Sequence, residues 1–463
     1  MNVKHLLPGP LFSLLFCIAL HHDIAAQSTG QKFSEQKKTA LREEVKAAAR
    51  HGWAGYKQYA WTMDDLEPLS KKGKNWYRHS MLMTPVDAFD TFKMLGLPDE
   101  AAEAKKIIFS GLNFDVDNSV QVFEVTIRIL GGLISAYELD ADKKFLDLAT
   151  DIADRLLPAF NTPTGMPYRY VHLQTGAVRD SINNPAEIGT LLLEFGQLSK
   201  HTGNKKYYDA AKKAIMYVHH KRSRLGLVGE QINIHSGEWV RKRSHISGYI
   251  DSYYEYLYKG WLLFKDKDLK KAFDVHNAAI KKHLFTSTAN GTFLRVVDMN
   301  TGKQLATTYG ALDAFYAGLC ALAGDIPSAR KIQQANYYMW TKFGMEPEEF
   351  NFATDTINSG YYILRPENLE SCFYLHRLTK DDRYLWMGKR MLEDIIKNCR
   401  TDEAFAAVKD VRTNEKMNSM QSFFFAETLK YAYLLFAEEN LFDLETSVFN
   451  TEAHPFKIVT TKK

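Results

Sequence analysis

Seven acidic residues recur through the 463-residue chain, each near the start of an apolar and aromatic run. They are Asp87, Glu124, Glu187, Asp251, Asp313, Glu367 and Glu427. From Glu124 onward successive members stand 63, 64, 62, 54 and 60 residues apart, and Asp87 precedes Glu124 by 37. A carboxyl group serves as general acid when protonated and as general base when ionised, provided its surroundings tune its pKa. Acids this far apart in the chain act together only if the fold gathers them. Taken singly, each also reads as an N-terminal helix acid facing solvent, favoured there by the helix dipole. Six of them in step, several beside aromatic rather than polar residues, point to acids converging on one pocket.

The elements that would carry them are helices. Most of the chain after the first few dozen residues has helical periodicity, as in Phe145-Leu146-Asp147-Leu148-Ala149-Thr150-Asp151-Ile152-Ala153. Several acid-led helices are followed by a polar turn and a second amphipathic helix, at Asp142-Lys143-Lys144-Phe145, Asn204-Lys205-Lys206-Tyr207 and Asp382-Arg383-Tyr384-Leu385. A repeat of about 60 residues is two helices with their connections, whereas peptide-binding solenoids built on repeats of about 34 fit poorly. Helical hairpins of this length can close on themselves with one helix of each pair inside. The organisation therefore predicts an all-α toroid of seven helical hairpins with the acids at one mouth.

Bulk properties narrow the partners. Lys+Arg number 59 against 55 Asp+Glu, and the pairs Lys71-Lys72, Lys105-Lys106, Lys205-Lys206 and Lys270-Lys271 are scattered, as on solvated helix faces. Nucleic acid is not an expected partner, because phosphate binding needs clustered basic charge. The 24 Tyr and 7 Trp suit a large core and also a sugar site, where ring faces and polar tips are both used. Lys4 and His5 precede an apolar run over 6–20, and Ile24-Ala25-Ala26 precedes Gln27. This pattern predicts a signal peptide over 1–26 and export to the periplasm or the exterior; with no long Gly/Ser/Pro linker after it, 27–463 is read as a single catalytic domain. No later stretch is long and apolar enough to span a bilayer, and a monomer is expected. Cys320, Cys372 and Cys399 lack CxxC spacing and read as buried thiols rather than a zinc site, with one disulfide left open. Asn290-Gly291-Thr292 is a glycosylation sequon, of consequence only in a eukaryotic host.

Several ordered motifs resemble those of the class I α-mannosidases, glycoside hydrolase family 47. They are Gln121-Val122-Phe123-Glu124-Val125-Thr126-Ile127-Arg128, Asp251-Ser252-Tyr253-Tyr254-Glu255-Tyr256-Leu257, Leu364-Arg365-Pro366-Glu367-Asn368-Leu369-Glu370-Ser371, Phe423-Phe424-Phe425-Ala426-Glu427-Thr428 and Val448-Phe449-Asn450-Thr451-Glu452-Ala453-His454-Pro455. Trp53-Ala54-Gly55-Tyr56-Lys57 and Asp65-Leu66-Glu67-Pro68-Leu69-Ser70 resemble the family's opening helix and loop. The resemblance implies an (α/α)7 barrel closed by a C-terminal segment, in agreement with the seven-fold count. It also implies a calcium-dependent, inverting exo-α-1,2-mannosidase acting on high-mannose N-glycans or related oligosaccharides. A bacterial member of the family is expected.

By resemblance, Glu124 is the general acid, Glu367 the base and Asp251 a third catalytic carboxylate. Inversion needs the acid to protonate the leaving oxygen while the base activates water on the opposite face. Arg128 lies four residues after Glu124, where an ion pair is expected from spacing and a sugar contact from the resemblance. Glu187, Arg365, Glu370, Glu427 and Glu452 match residues lining the subsite of the departing mannose, and Phe423 matches the ring beneath it. The Ca2+ ion is placed on Thr451, with water ligands held by nearby carboxylates, and His454 is read as structural. Two departures bear on branch preference: Tyr249 stands where relatives often carry Arg, and Ala311 where many carry His. A glycan-binding relative with little hydrolysis, a helical scaffold, and a different inverting enzyme on an α/α barrel are the alternatives.

Overall fold

The computed structural model describes residues 32–458, so the expected signal segment over 1–26 lies outside the described residues. Among the described residues, fourteen helices alternate between two concentric rings. The outer ring holds α1 (Glu35–Tyr59), α3 (Pro98–Gly111), α5 (Lys143–Leu156), α7 (Lys206–His220), α9 (Lys267–His283), α11 (Ile326–Phe343) and α13 (Arg383–Cys399). Between them in sequence run the inner helices. These are α2 (Met83–Leu95), α4 (Val122–Glu124 running on through a π-helical turn, Val125–Leu130, into Gly131–Asp140) and α6 (Pro185–Gly189 and Leu192–Thr202). They continue with α8 (Asp251–Phe264), α10 (Phe315–Leu322), α12 (Glu367–Thr379) and α14 (a π-helical turn, Phe424–Leu429, then Lys430–Phe436).

Residue patterning assigns each helix to its ring. In α5 only one stripe is buried (Phe145, Ala149, Ile152, Ala153 and Leu156), and the opposite face carries exposed Lys144, Asp147 and Asp151. In α12 every residue from Asn368 to Leu375 is buried, as expected of a helix covered on all sides. Inner helices pack on their ring neighbours (α2 on α4, α10 on α12, α12 on α14), and α14 returns to α2. The seventh pair joins the ends of the chain, because the outer partner of α14 is α1.

Short antiparallel sheets number eight among the described residues, seven of them formed by the connections at the mouth. One hairpin, Ser447–Phe449 paired with Pro455–Lys457, enters the bore from the far end and packs on α4 and α8. Two glycines of α4 make room for it. A Cβ at Gly131 would meet Asn450 Nδ2 at 2.7 Å, and one at Gly132 would meet Val86 Cγ1 at 2.6 Å and His454 Cε1 at 3.2 Å. The expected C-terminal closure is thus a plug along the axis. Cys320, Cys372 and Cys399 are free and buried, as read from their spacing.

Candidate active site

The inner helices direct their N-terminal ends at the mouth, so acids in their first turns face one space. Asp251 and Glu367 are the first residues of α8 and α12. Glu187 sits in the first turn of α6, whose N-cap Asn184 accepts the Glu187 N–H at 2.9 Å. Glu124 immediately precedes the π-helical turn of α4, and Glu427 lies within that of α14. Such turns insert one extra residue into a helix and are frequent at functional sites.

All eleven residues singled out by sequence, Glu124, Arg128, Glu187, Asp251, Arg365, Glu367, Glu370, Phe423, Glu427, Thr451 and Glu452, line one cavity of about 480 Å3. The plug supplies its floor through Thr451 and Glu452, so the cavity is a pit rather than a channel. Two repeat acids behave differently from the others. Asp313 is buried outside the cavity and accepts the Gly310 N–H at 2.8 Å. Asp87 begins one turn inside α2 and lies below the floor, fully buried.

Two guanidinium groups organise the walls. Arg128 donates to Glu124 at 2.9 Å and to Glu452 at 2.6 Å, and lies 3.5 Å from Asp87. Its guanidinium sits 5.1 Å from the Trp76 ring centre and 5.8 Å from that of Phe423, which holds it by cation–π contact. Burial opposes the Arg128 charge, but the surrounding Glu452, Glu124 and Asp87 carboxylates outweigh it. Arg365 grips Glu348 with two bonds of 3.0 and 2.6 Å and stands 3.7 Å from Glu367. Arg169 grips Glu187 in the same forked manner, at 2.8 and 2.7 Å.

Eight carboxylates and only two cationic side chains face the cavity. Burial and mutual repulsion therefore hold several acids well above the usual carboxylate range. Asp251 is pushed up to about 7 by burial, with the Glu255 charge adding to it. Burial likewise lifts Glu367 to about 7 against the pull of Arg365. Glu370 and Glu452 rise to about 8 through burial, and burial with the Glu452 charge beside it pushes Glu427 well above the usual carboxylate range. The Glu367 Oε2 atom is buried without a hydrogen-bond partner.

Sequence reasoning passed over several participants. Glu255 lines the cavity and is paired with the buried Lys259 one turn further along α8. Its spacing from Asp251 repeats that of Arg128 from Glu124, a signal that was available. Trp76 also lines the cavity, its indole N–H donating to the buried Asp65 at 2.5 Å. It comes from an irregular loop with no periodicity to mark it. Of the two departures, Tyr249 lines the cavity with a φ of 77° and 46% exposure, whereas Ala311 is fully buried outside it.

Comparison with known proteins agrees with this geometry. The glycosyl hydrolase family 47 model matches residues 48–458. Mannosyl-oligosaccharide 1,2-alpha-mannosidase MNS1 of Arabidopsis thaliana is 37% identical over 90% of this chain and 79% of its own. Alpha-mannosidase I MNS4 of the same plant is 35% identical over 98% of this chain and 75% of its own. The solved alpha-1,2-mannosidase from Trichoderma reesei superposes with a TM-score of 0.84 at 30% identity, covering 91% of this chain and 99% of that one. A plant and a fungus give no support to the expectation of a bacterial member. The seven-paired barrel, the shared pit and the match over nearly the whole described chain have one reading: the chain belongs to glycosyl hydrolase family 47.

Proposed function

We propose that this chain is a calcium-dependent, inverting exo-α-1,2-mannosidase that removes terminal mannose from high-mannose or related oligosaccharides. The observation that carries the reading is the placement of Glu124 and Glu367 on α4 and α12. These are the second and sixth members of a ring of seven, so the two carboxylates stand across one pit. Inversion requires that separation, with room for a water between base and sugar. Glu124, held by Arg128, protonates the leaving oxygen. Glu367, whose basicity is raised by burial, takes the proton from the attacking water. Asp251, raised in the same way on the helix between them, shares in proton transfer. The closed floor explains attack at a chain end, because an internal residue of a glycan has no exit. Phe423 and Trp76 offer ring faces to the sugar.

The lining suits a hard cation. All its acidic donors are oxygens, they exceed the cationic side chains eight to two, and Thr451 stands at the floor. Among the described residues, no three His, Cys, Asp or Glu side chains come together as a direct metal cage. Thr451 would therefore hold calcium together with water ligands bound by the neighbouring acids. When bound, the ion would supply positive charge that steadies the sugar hydroxyls and offsets the crowded carboxylates.

The test is incubation with a high-mannose glycan, with and without a chelator, following the released sugar and its first-formed anomer by NMR. Release of β-mannose only when calcium is present is the expected result. Initial release of the α-anomer would refute inversion, full activity after rigorous chelation would refute the metal requirement, and glycan binding without release would favour the lectin-like alternative.

A further inference from the structure

Beneath the pit lies a buried network of charged groups, Lys430, Asp90, His454 and Asp87, none of which lines the cavity. Lys430 on α14 and Asp90 on α2, both fully buried, pair at 2.7 Å. Asp90 also accepts from His454 Nδ1 at 2.6 Å and from the Ser135 hydroxyl at 2.7 Å. His454 Nε2 faces Asp87 at 3.3 Å, and Asp87 lies 3.5 Å from Arg128. Two carboxylates thus face one ammonium and one imidazole, all with fully buried side chains. Such a set persists only when each charge is matched, and removing one partner alone is strongly destabilising.

The network ends on the turn that carries Thr451. The Lys430 ammonium donates to the carbonyl oxygen of Ala453 at 2.6 Å. Ala453 has a φ of 54°, a left-handed conformation that costs a residue with a Cβ free energy and needs something to hold it. The same turn is tied from the other side by Asn450. Its Oδ1 accepts the Glu452 and His454 N–H groups at 3.0 and 2.8 Å, and its Nδ2 donates to Ile127 O at 2.9 Å and to Glu194 at 2.8 Å.

We propose that Lys430 and Asp90 are positioning residues for the cation site. The Lys430–Ala453 bond holds the strained turn so that the oxygens of Thr451 and the carboxylate of Glu452 stay aimed into the pit. The inference rests on the calcium reading above. It assigns the preorganisation of that site to a contact between inner helices and plug that neither cation nor sugar would touch. Preorganisation of this kind is worth affinity because the turn need not be ordered on binding.

The test is calcium titration by calorimetry on the chelator-stripped full chain. The first variant is the double substitution Lys430→Met/Asp90→Asn, which removes both charges together and so leaves no unpaired ion. Calcium affinity should fall about tenfold or more through loss of a charged hydrogen bond to the turn, with cooperative urea unfolding retained. Adding Ala453→Gly to that variant should recover part of the affinity, because glycine adopts the left-handed turn without an anchor. A purely structural role for the pair predicts no such rescue. Wild-type affinity in the double variant would overturn the proposal. So would loss of its cooperative unfolding, which would assign the pair to the fold as a whole. Absence of any calcium binding by the wild-type chain would instead overturn the cation reading itself.

Discussion

Replacing Asp251 by Asn should flatten the dependence of stability on pH in the metal-free chain. In the unfolded chain this carboxyl titrates near 3.8, and in the folded chain burial lifts it to about 7. A group whose folded pKa is raised favours the folded state below the unfolded value, and that contribution is lost as pH climbs through the folded value. Each pH unit of difference corresponds to about 1.4 kcal/mol, so Asp251 alone accounts for about 4 kcal/mol between pH 4 and pH 8. His454 adds a loss of the same sign higher up: burial opposes its charge, but Asp90 and Asp87 outweigh that and lift it to about 9. Asp90 acts only at the acid end, since Lys430 and His454 overcome its burial and hold it at about 2. The difference between wild type and Asp251→Asn reports Asp251 together with the smaller push its charge gives Glu367 and Asp313, which has the same sign. The assay is urea unfolding in chelator from pH 4.5 to 8.5, read by circular dichroism. Wild type should lose stability toward high pH and the variant should lose about 4 kcal/mol less. Calcium should reverse the trend, stabilising most at high pH where the carboxylates are ionised. Parallel wild-type and variant profiles would refute the placement of Asp251 as a buried, charge-crowded acid.

Glu124→Gln and Glu367→Gln should each cut glycan hydrolysis by about a hundredfold to ten-thousandfold while cooperative urea unfolding is retained; near-normal turnover in either removes that residue from its role. Glu348→Gln frees Arg365 from its forked bond and leaves it beside Glu367 at 3.7 Å. The stronger pull lowers the Glu367 pKa, so the acid limb of the kcat/KM profile should move to lower pH, and an unmoved limb would show that Arg365 does not tune the base. Gly55→Ala would place a Cβ 2.1 Å from the Glu403 carbonyl oxygen, whereas Gly203→Ala meets nothing within 4 Å and only a φ of +73°. The first should cost roughly 1–3 kcal/mol or more, and the second about 1 kcal/mol, in urea unfolding.

Much of this molecule is legible in its sequence. Burial stripes set the two kinds of helix, because a helix covered on one side must carry a polar face and one covered all round must not. The roughly sixty-residue step between acids announced hairpins in a ring, and the ordered motifs around Glu124, Asp251, Glu367, Phe423 and Thr451 named the pit's lining. These features are local or periodic, so a linear chain records them. Three things depended on the closed barrel. The pairing of α14 with α1 joins opposite ends of the chain, which no period reveals. The pKa values of Asp251 and Glu367 follow from how many carboxylates share one desolvated space, a property of the assembled ring rather than of any segment. The path from Lys430 through Asp90 to His454 spans residues more than 300 positions apart, and its charges balance only once the plug is seated in the bore. Sequence determined which residues would reach the pit; tertiary structure decided which of them share a field and what holds the floor, because electrostatic coupling depends on distance in space and on the exclusion of water.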